Sequence, residues 1–453
     1  MNGGEIAGIT APPIPAHRKA VYEYYKLTFD EAGCPMKQTD SGMVFHPILA
    51  AYLIFEYVQW YEKGGDTSHL EHARRIARLA LARAEVIEDA LVFYYRPETR
   101  LSSIPTTFYS ALTQAWYIHS LAALRPYAET LVDSSIKAIF ASLLIPVERG
   151  GCFISTSWGW IVEEYPNDPP LFTLNGWTTV IKMVADCRAT LREVGVDAER
   201  FLGENLRALS KLLPLYDAGY CLNSRYQLTG FTRLKLVFDK PPIGELQSFA
   251  VEIPEFGTHE GSLQKGNSRW RYYLERDEGR VKQFNVLLSM VSYPSSNVFR
   301  LSYKTSQTYK ATLMMAQGSY DPNLSGMPTQ SWRTIGEFEI GPDAPELVVE
   351  LPWDKENLFA YPTNFKKKLN GRYFNAYHFI HISNLAWLFA YTKDPIFKTY
   401  VLKWLAYVDH WPQSAALQKE DISYDSQNLD KPGFKRVLNL ILSKPFAPIA
   451  LPD

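Results

Sequence analysis

The chain lacks most of the residues that announce a simple function. Four cysteines, Cys34, Cys152, Cys187 and Cys221, are spread over 453 residues. None forms a CxxC pair or a Cys/His cluster, so no structural zinc is implied. A reduced compartment, or at most one or two disulfides, fits that usage. No run approaches 18 apolar residues, so no membrane-spanning helix is expected. The first residues, MNGGEIAGITAPPIPAHRKA, hold no apolar h-region, so no secretory signal is expected and the chain reads as cytoplasmic. An excess of charge of either sign is missing too: 47 Lys and Arg face 48 Asp and Glu, net −1. A general nucleic-acid binder would carry a basic excess, so nucleic acid is not an expected partner. The P-loop, dinucleotide, HExxH and GxSxG motifs are absent, which removes nucleotide binding, zinc proteolysis and serine hydrolysis as easy readings. No cofactor and no metal are expected.

What is plentiful is aromatic. There are 28 Tyr, 24 Phe and 11 Trp, 14% of the chain. Tyrosine offers a flat apolar face and a polar tip, which suits a sugar-binding surface. It also favours strands, so composition alone does not choose.

Patterning divides the chain. Residues 1 to about 45 are Pro-rich, then mixed. From His46, HPILAAYLIFEYVQWYEKGG places apolar residues three and four apart and stops at Gly64-Gly65, a helix with a C-terminal signal. A second helix follows, with Thr67 or Ser68 as N-cap. The segments 109–124, 131–144, 171–194 and 197–213 read as further helices. Short loops between them predict antiparallel helical hairpins. From about Leu228 to Lys368 the period becomes two, as in NVFRLSYK, EFEI and ELVVEL. Helix returns at 375–391 and 394–409. The expected fold is an α+β multidomain chain: an (α/α) toroid of helical hairpins interrupted by an inserted antiparallel β-sandwich. Residues 1–228 would hold the N-terminal segment and the first part of the toroid, 229–366 the insertion, and 367–453 the last helices.

Three constellations could carry chemistry. The first runs from Trp158 to Gly176, with Glu163, Glu164 and Tyr165 before a Pro-rich loop and Asn175 in the first turns of a helix. A solvated Glu pair on a connecting loop is the bland alternative. The second holds Tyr220, Asn223, Arg225 and Tyr226 after a helix; its arginine could bind a carboxylate through two parallel hydrogen bonds. An ordinary helix end closed by Gly219 is the alternative there. In the third, Tyr377, His381 and Asn384 share one face of an apolar helix, as a cavity lining or as inert core groups.

These blocks resemble the D-glucuronyl C5-epimerase family. The match lies in Glu163-Glu164-Tyr165-Pro166, then Phe172 and Leu174-Asn175-Gly176, and in Leu213-Pro214-Leu215-Tyr216-Asp217. It continues in Tyr377-His378 with His381-Ile382, and in Asp394-Pro395-Ile396-Phe397-Lys398 with Trp404 and Tyr407. Tyr109-Ser110-Ala111 with Gln114 resembles an earlier shared block. The resemblance covers roughly 40–226 and 372–410. Animal members carry their β domain ahead of the toroid, whereas here it interrupts it.

The resemblance implies an isomerase that converts D-glucuronate to L-iduronate residues in a heparosan-like polymer. Such a reaction removes the proton alpha to a carboxylate and returns it from the other face, so it needs two acid/base groups and an offset for the developing charge. Tyrosine serves if neighbouring positive charge or hydrogen bonds lower its pKa from about 10. By resemblance, Glu164 or Tyr165 stands on one side and Tyr377 on the other. Asn175 and Arg225 would hold hydroxyls and the substrate carboxylate. Leu222 occupies the place of a functional family tyrosine, three before Arg225, which leaves Tyr220 or Tyr226 for that role. His378, His381, Tyr109 and Gln114 complete the expected substrate contacts. The implied partner is an acidic polysaccharide, and the animal relatives suggest a homodimer. Lys366, Lys367, Lys368 and Arg372 could attract such a polymer, though a solvated lysine run is the plainer account. A substrate of this class suggests a lumenal or extracytoplasmic site, against the visible N-terminus. A polysaccharide lyase and a non-catalytic carbohydrate-binding relative are the competing classes.

Overall fold

The computed structural model describes residues 13–14, 22–23, 25–40, 42–96, 107–219, 222–264, 272–316, 332–351, 367–369, 372–374 and 376–410. Tyr220, Cys221, Lys366 and the stretch 411–453 lie outside them, as do the expectations placed there.

The helices form where the apolar period runs at three and four. The first, Pro47–Gly64, starts with Pro at its first position and ends at Gly65, whose φ of 72° puts it in the left-handed region. Thr67–Leu81 follows at once. Its N-cap is Asp66, not Thr67 or Ser68: the Asp66 carboxylate accepts from the Ser68 N–H at 2.9 Å. The two helices expected over 109–124 and 131–144 lie within Ala111–Ser142 and meet at a kink at Ala128 (φ −155°). Pro126 accounts for the break, because its ring displaces the carbonyl four residues back and it has no N–H to donate. Leu174–Asp186, Arg188–Glu193 and Ala198–Leu212 come next, then Ala376–Thr392 and Pro395–His410 after the strand region. Among the described residues no helix is long and apolar enough to cross a membrane. Cys34, Cys152 and Cys187 are free and buried. A three-stranded antiparallel sheet over Leu27–Phe29, Pro35–Thr39 and Gly42–Phe45 had no clear sequence signal, its strands being three to five residues long.

The strand region holds two antiparallel sheets. One has five strands in the order Tyr273–Glu278, Val281–Ser289, Thr229–Phe238, Tyr309–Ala316, Trp332–Ile340. The other has four, in the order Gly257–Glu260, Gly244–Ile253, Asn297–Thr305, Glu346–Leu351. Burial alternates along Thr229–Phe238, as a strand with one covered face requires. Rings from one sheet meet rings from the other. Phe284 lies between Phe249 (4.8 Å between centroids) and Phe299 (5.3 Å), and Phe238 meets Tyr303 at 5.5 Å.

Two ties bring the chain back to the first helices after the sheets. The Asn384 amide donates to the hydroxyls of Thr178 and Thr179 at 2.9 and 3.1 Å, fixing Ala376–Thr392 against Leu174–Asp186. Asp217 accepts from Lys403 (2.6 Å), the Trp404 indole (3.1 Å) and the Tyr407 hydroxyl (3.0 Å), fixing Pro395–His410. The sequence blocks around Asp217 and around Trp404 and Tyr407 are therefore two halves of one joint.

Candidate active site

The site is built on two backbone segments that hold each other. One leads from Glu163 into the Leu174–Asp186 helix; the other runs from Tyr216 to Thr229. The Leu174 N–H donates to the Tyr226 carbonyl (3.0 Å), and the Leu228 N–H to the Leu171 carbonyl (3.0 Å). Thr229 adds a hydroxyl bond to the Pro170 carbonyl at 2.6 Å. Phe172 takes a left-handed φ of 58°, unusual for a bulky residue. It is fixed there from both ends: its N–H donates to Glu163 at 2.6 Å and its carbonyl accepts from the Tyr216 hydroxyl at 2.7 Å. The sheet region braces the same loop, with Phe256 edge-on to Phe172 at 5.4 Å and His259 3.6 Å from Asp168.

The two adjacent glutamates have different jobs. Glu163 is fully buried and accepts from the N–H groups of Phe172 and Thr173, which cap the helix entry. Glu164 is also buried, accepts from the Tyr165 hydroxyl, and keeps Oε2 without a partner. Gly176 makes room for it: a Cβ there would lie 2.6 Å from Oε2 and 2.8 Å from the Glu164 Cβ. Burial raises both carboxyls to about 7. Backbone donors oppose that rise for Glu163, and the Tyr165 hydroxyl opposes it for Glu164. A carboxyl poised near neutrality is suited to proton transfer, and of the pair only Glu164 has an oxygen without a hydrogen-bond partner, itself buried beside Gly176.

Across from this couple is a second one. The rings of Tyr226 and Tyr377 meet at 4.7 Å between centroids, inclined at 62°. Their hydroxyls hydrogen-bond, and the Asn175 side chain donates to Tyr226. The Asn175 Oδ1, at the positive end of the Leu174–Asp186 helix, has no partner. Tyr165, Tyr226 and Tyr377 are each half-buried. Burial, then the charge of Glu164, pushes Tyr165 and Tyr226 well above the usual phenol range. That reverses the expectation of lowered tyrosine pKa values. Both phenols hold their protons near neutral pH, so neither starts as the base.

Other expected contacts belong to the framework. Tyr109 is fully buried and donates to the Ser142 carbonyl at 2.8 Å. Gln114, equally buried, donates to the Leu91 carbonyl and the Ser142 hydroxyl, both at 2.7 Å, and accepts from the Phe93 N–H. Neither has a surface to offer a sugar. Arg225 is fully buried, with Nε donating to the Leu215 carbonyl at 3.1 Å. It has no exposed face from which to meet a carboxylate. His378 and His381 are fully buried too. His378 Nδ1 accepts from the Ser224 N–H (3.1 Å), and Nε2 donates to the Trp404 carbonyl (3.0 Å), which fixes the neutral tautomer. Burial lowers His378 to about 4 and His381 well below its ordinary value. Among the described residues no group of three or more His, Cys, Asp or Glu could hold a metal.

Two neighbours had not been singled out. Ser224 has no motif around it; its role appears only when two histidines from a distant helix reach it. Tyr95 bonds Thr113 at 2.6 Å and stacks on Phe108, whose ring meets Tyr165 edge-on at 5.6 Å. It backs the Glu164–Tyr165 couple, and nothing in its local sequence marks it.

Residues 89–237, about a third of the chain, match the family described as D-glucuronyl C5-epimerase C-terminus. The family resemblance read from the sequence is found over that stretch, which is uronate-epimerase-like. It contains Glu164, Tyr165, Asn175 and Tyr226 and stops short of Tyr377. No curated protein matches the chain.

Proposed function

We propose that the chain is a polysaccharide uronate C5-epimerase, turning D-glucuronate into L-iduronate residues within a heparosan-like polymer. The observation that carries the reading is the meeting of two hydrogen-bonded couples, Glu164–Tyr165 and Tyr226–Tyr377, at Asn175. Glu164 is the base. Its carboxyl is raised to about 7, so near neutral pH it can accept the C5 proton and later release it. Tyr377, backed by Tyr226, is the acid on the other face. Its partner phenol shares the negative charge left when the proton is given up. The positive end of the helix at Asn175 would offset charge developing on the substrate carboxylate. Each turnover leaves Glu164 protonated and a phenol ionised, and exchange with water resets both.

The chain folds around this site as an (α/α) toroid interrupted by a β-sandwich, in the same reading. The sandwich braces the loop before Asn175 through Phe256 and His259. The test is incubation of the protein with heparosan in deuterated water. Deuterium at C5 of an intact polymer is the expected result. Unsaturated chain ends would instead show a lyase, in which the same proton abstraction is followed by loss of the 4-linked sugar. Binding with neither outcome would leave a non-catalytic carbohydrate-binding protein.

A further inference from the structure

We infer that Ser224, His378 and His381 form a clamp that positions Tyr377 against Tyr226, and that the clamp is a working part of the site rather than ordinary core. The inference rests on the proposed epimerase reading for its activity readout only.

The need for a clamp follows from the path of the chain. After Tyr226 the backbone leaves through Thr229–Phe238 into the sheets and returns only with the Ala376–Thr392 helix. Chain connection therefore does little to set the rotation of that helix. A slip of one residue turns a helix by about 100°, enough to carry Tyr377 off the Tyr226 ring. Asn384 holds the helix two turns further on, through Thr178 and Thr179, and the register beside the two phenols needs a hold of its own.

Ser224 is placed to do it. It lies two residues before Tyr226, and His378 directly follows Tyr377. The Ser224 hydroxyl is 2.9 Å from His378 Nδ1 and 2.9 Å from His381 Nδ1. Its N–H also donates to His378 Nδ1 at 3.1 Å. The far side of His378 is held by the Trp404 carbonyl, and the next helix, which carries Trp404, is in turn locked by Asp217. All three clamp residues have no exposed surface. The two histidines are one helical turn apart, so the serine reads two points on one helix face. A single bond would permit rotation about it; two do not. The arrangement is costly for a mere packing contact: His381 Nε2 is left buried and without a partner, which an apolar side chain of similar size would avoid.

The histidine can be split into its two halves. His378→Asn keeps a polar atom at the Nδ1 position, towards Ser224, and gives up the Trp404 bond. His378→Gln keeps a donor at the Nε2 position, towards Trp404, and gives up Ser224. Ser224→Ala removes the hydroxyl from both histidines. Each variant is compared with wild type for melting temperature, C5 deuterium exchange split into kcat and KM, and titration of the Tyr226 phenol by ultraviolet absorbance with Tyr226→Phe as reference. Misplacement of a reacting group by about 1 Å costs on the order of 10²-fold. His378→Gln and Ser224→Ala should lose exchange on that scale in kcat at nearly constant KM. The phenol titration should fall toward that of free tyrosine. His378→Asn should stay close to wild type in both. If exchange in all three variants follows only the folded fraction, or if Asn and Gln are equally damaging, the clamp is structural and the inference fails. If wild type shows no exchange at all but the phenol titration still separates Asn from Gln, the clamp stands and the epimerase reading falls.

Discussion

The helical region and the two-sheet region bury different things. Inside the sheets the contacts are between rings and aliphatic chains: Phe249, Phe284, Phe299, Leu234, Leu236 and Leu313 are all hidden. Beside the Leu174–Asp186 helix the hidden residues include Glu163, Glu164, Ser224, Arg225, His378 and His381. Burying polar groups costs free energy even when they are bonded, and more when one atom is left bare. The sheets bury polar side chains too, among them Lys282, Asn285, Ser289 and Asn297, but among the described residues no buried carboxylate and no buried histidine. The contrast says that the sheets are built for stability and the helical centre for chemistry.

The largest test of that contrast is at the couples. Glu164→Gln and Tyr377→Phe should each lower C5 exchange by about 10²–10⁴-fold while leaving the melting temperature near wild type or higher, because each removes an acid or base of the reaction. A variant that retains full exchange would break the assignment. Next is Phe284→Ala. Emptying a large buried ring site should cost about 3–5 kcal/mol in denaturant unfolding, with exchange per folded molecule unchanged. Activity lost ahead of folding would show the sheets take part in the chemistry.

Gly176→Ala comes third. Its methyl would drive into Glu164, whose Oε2 and Cβ lie 2.6 and 2.8 Å from the added carbon position. Exchange should fall about tenfold or more with little change in KM, as for any displaced reacting group. Steady-state kinetics on the folded variant would check it.

The pH behaviour sharpens the comparison further. Glu163 and Glu164 rise from 4.5 to about 7 on folding. A raised pKa contributes stability that is fully present below 4.5 and lost as pH climbs through about 7. His378 falls from 6.5 to about 4, so its contribution is present above 6.5 and lost as pH drops through about 4. Unfolding measured from pH 4 to 8 should therefore decline toward both ends. Glu164→Gln should flatten the alkaline side, while exchange in wild type should rise through about pH 7 as the base ionises. The smallest effect belongs to Tyr109→Phe, which removes one bond to the Ser142 carbonyl. About 1 kcal/mol of stability should go and no activity, as befits a framework residue.

Much of the scaffold could be read along the chain. The Pro47–Gly64 helix with its Gly65 stop, the entry of Ala198–Leu212 behind Asp197, and the strand period from Thr229 all follow from local spacing. Where local reading slipped, a neighbouring side chain decided the matter, as when Asp66 took the cap from Thr67. In the site the legible part was the pairing of Glu164 and Tyr165 with Asn175. The separate duties of Glu163 and Glu164 were not legible. Identical side chains next to each other differ only in what surrounds them: backbone donors around one, a phenol and an empty edge around the other.

The sequence by itself determined most of the helices, the place where helices give way to strands, and the likeness of residues 89–237 to the epimerase family. Those depend on periods and motifs within a few residues of each other. Tertiary structure alone decided which polar residues stand together beside Asn175 and which are tied into the framework. Tyr109, Gln114, Arg225 and His378 were as plausible in the chain as Tyr226. They became framework because carbonyls and hydroxyls from distant segments reached them first. It also decided the sense of the proton chemistry. A phenol in isolation titrates near 10, and burial beside Glu164 moved Tyr165 and Tyr226 upward, leaving the carboxyl to act as the base.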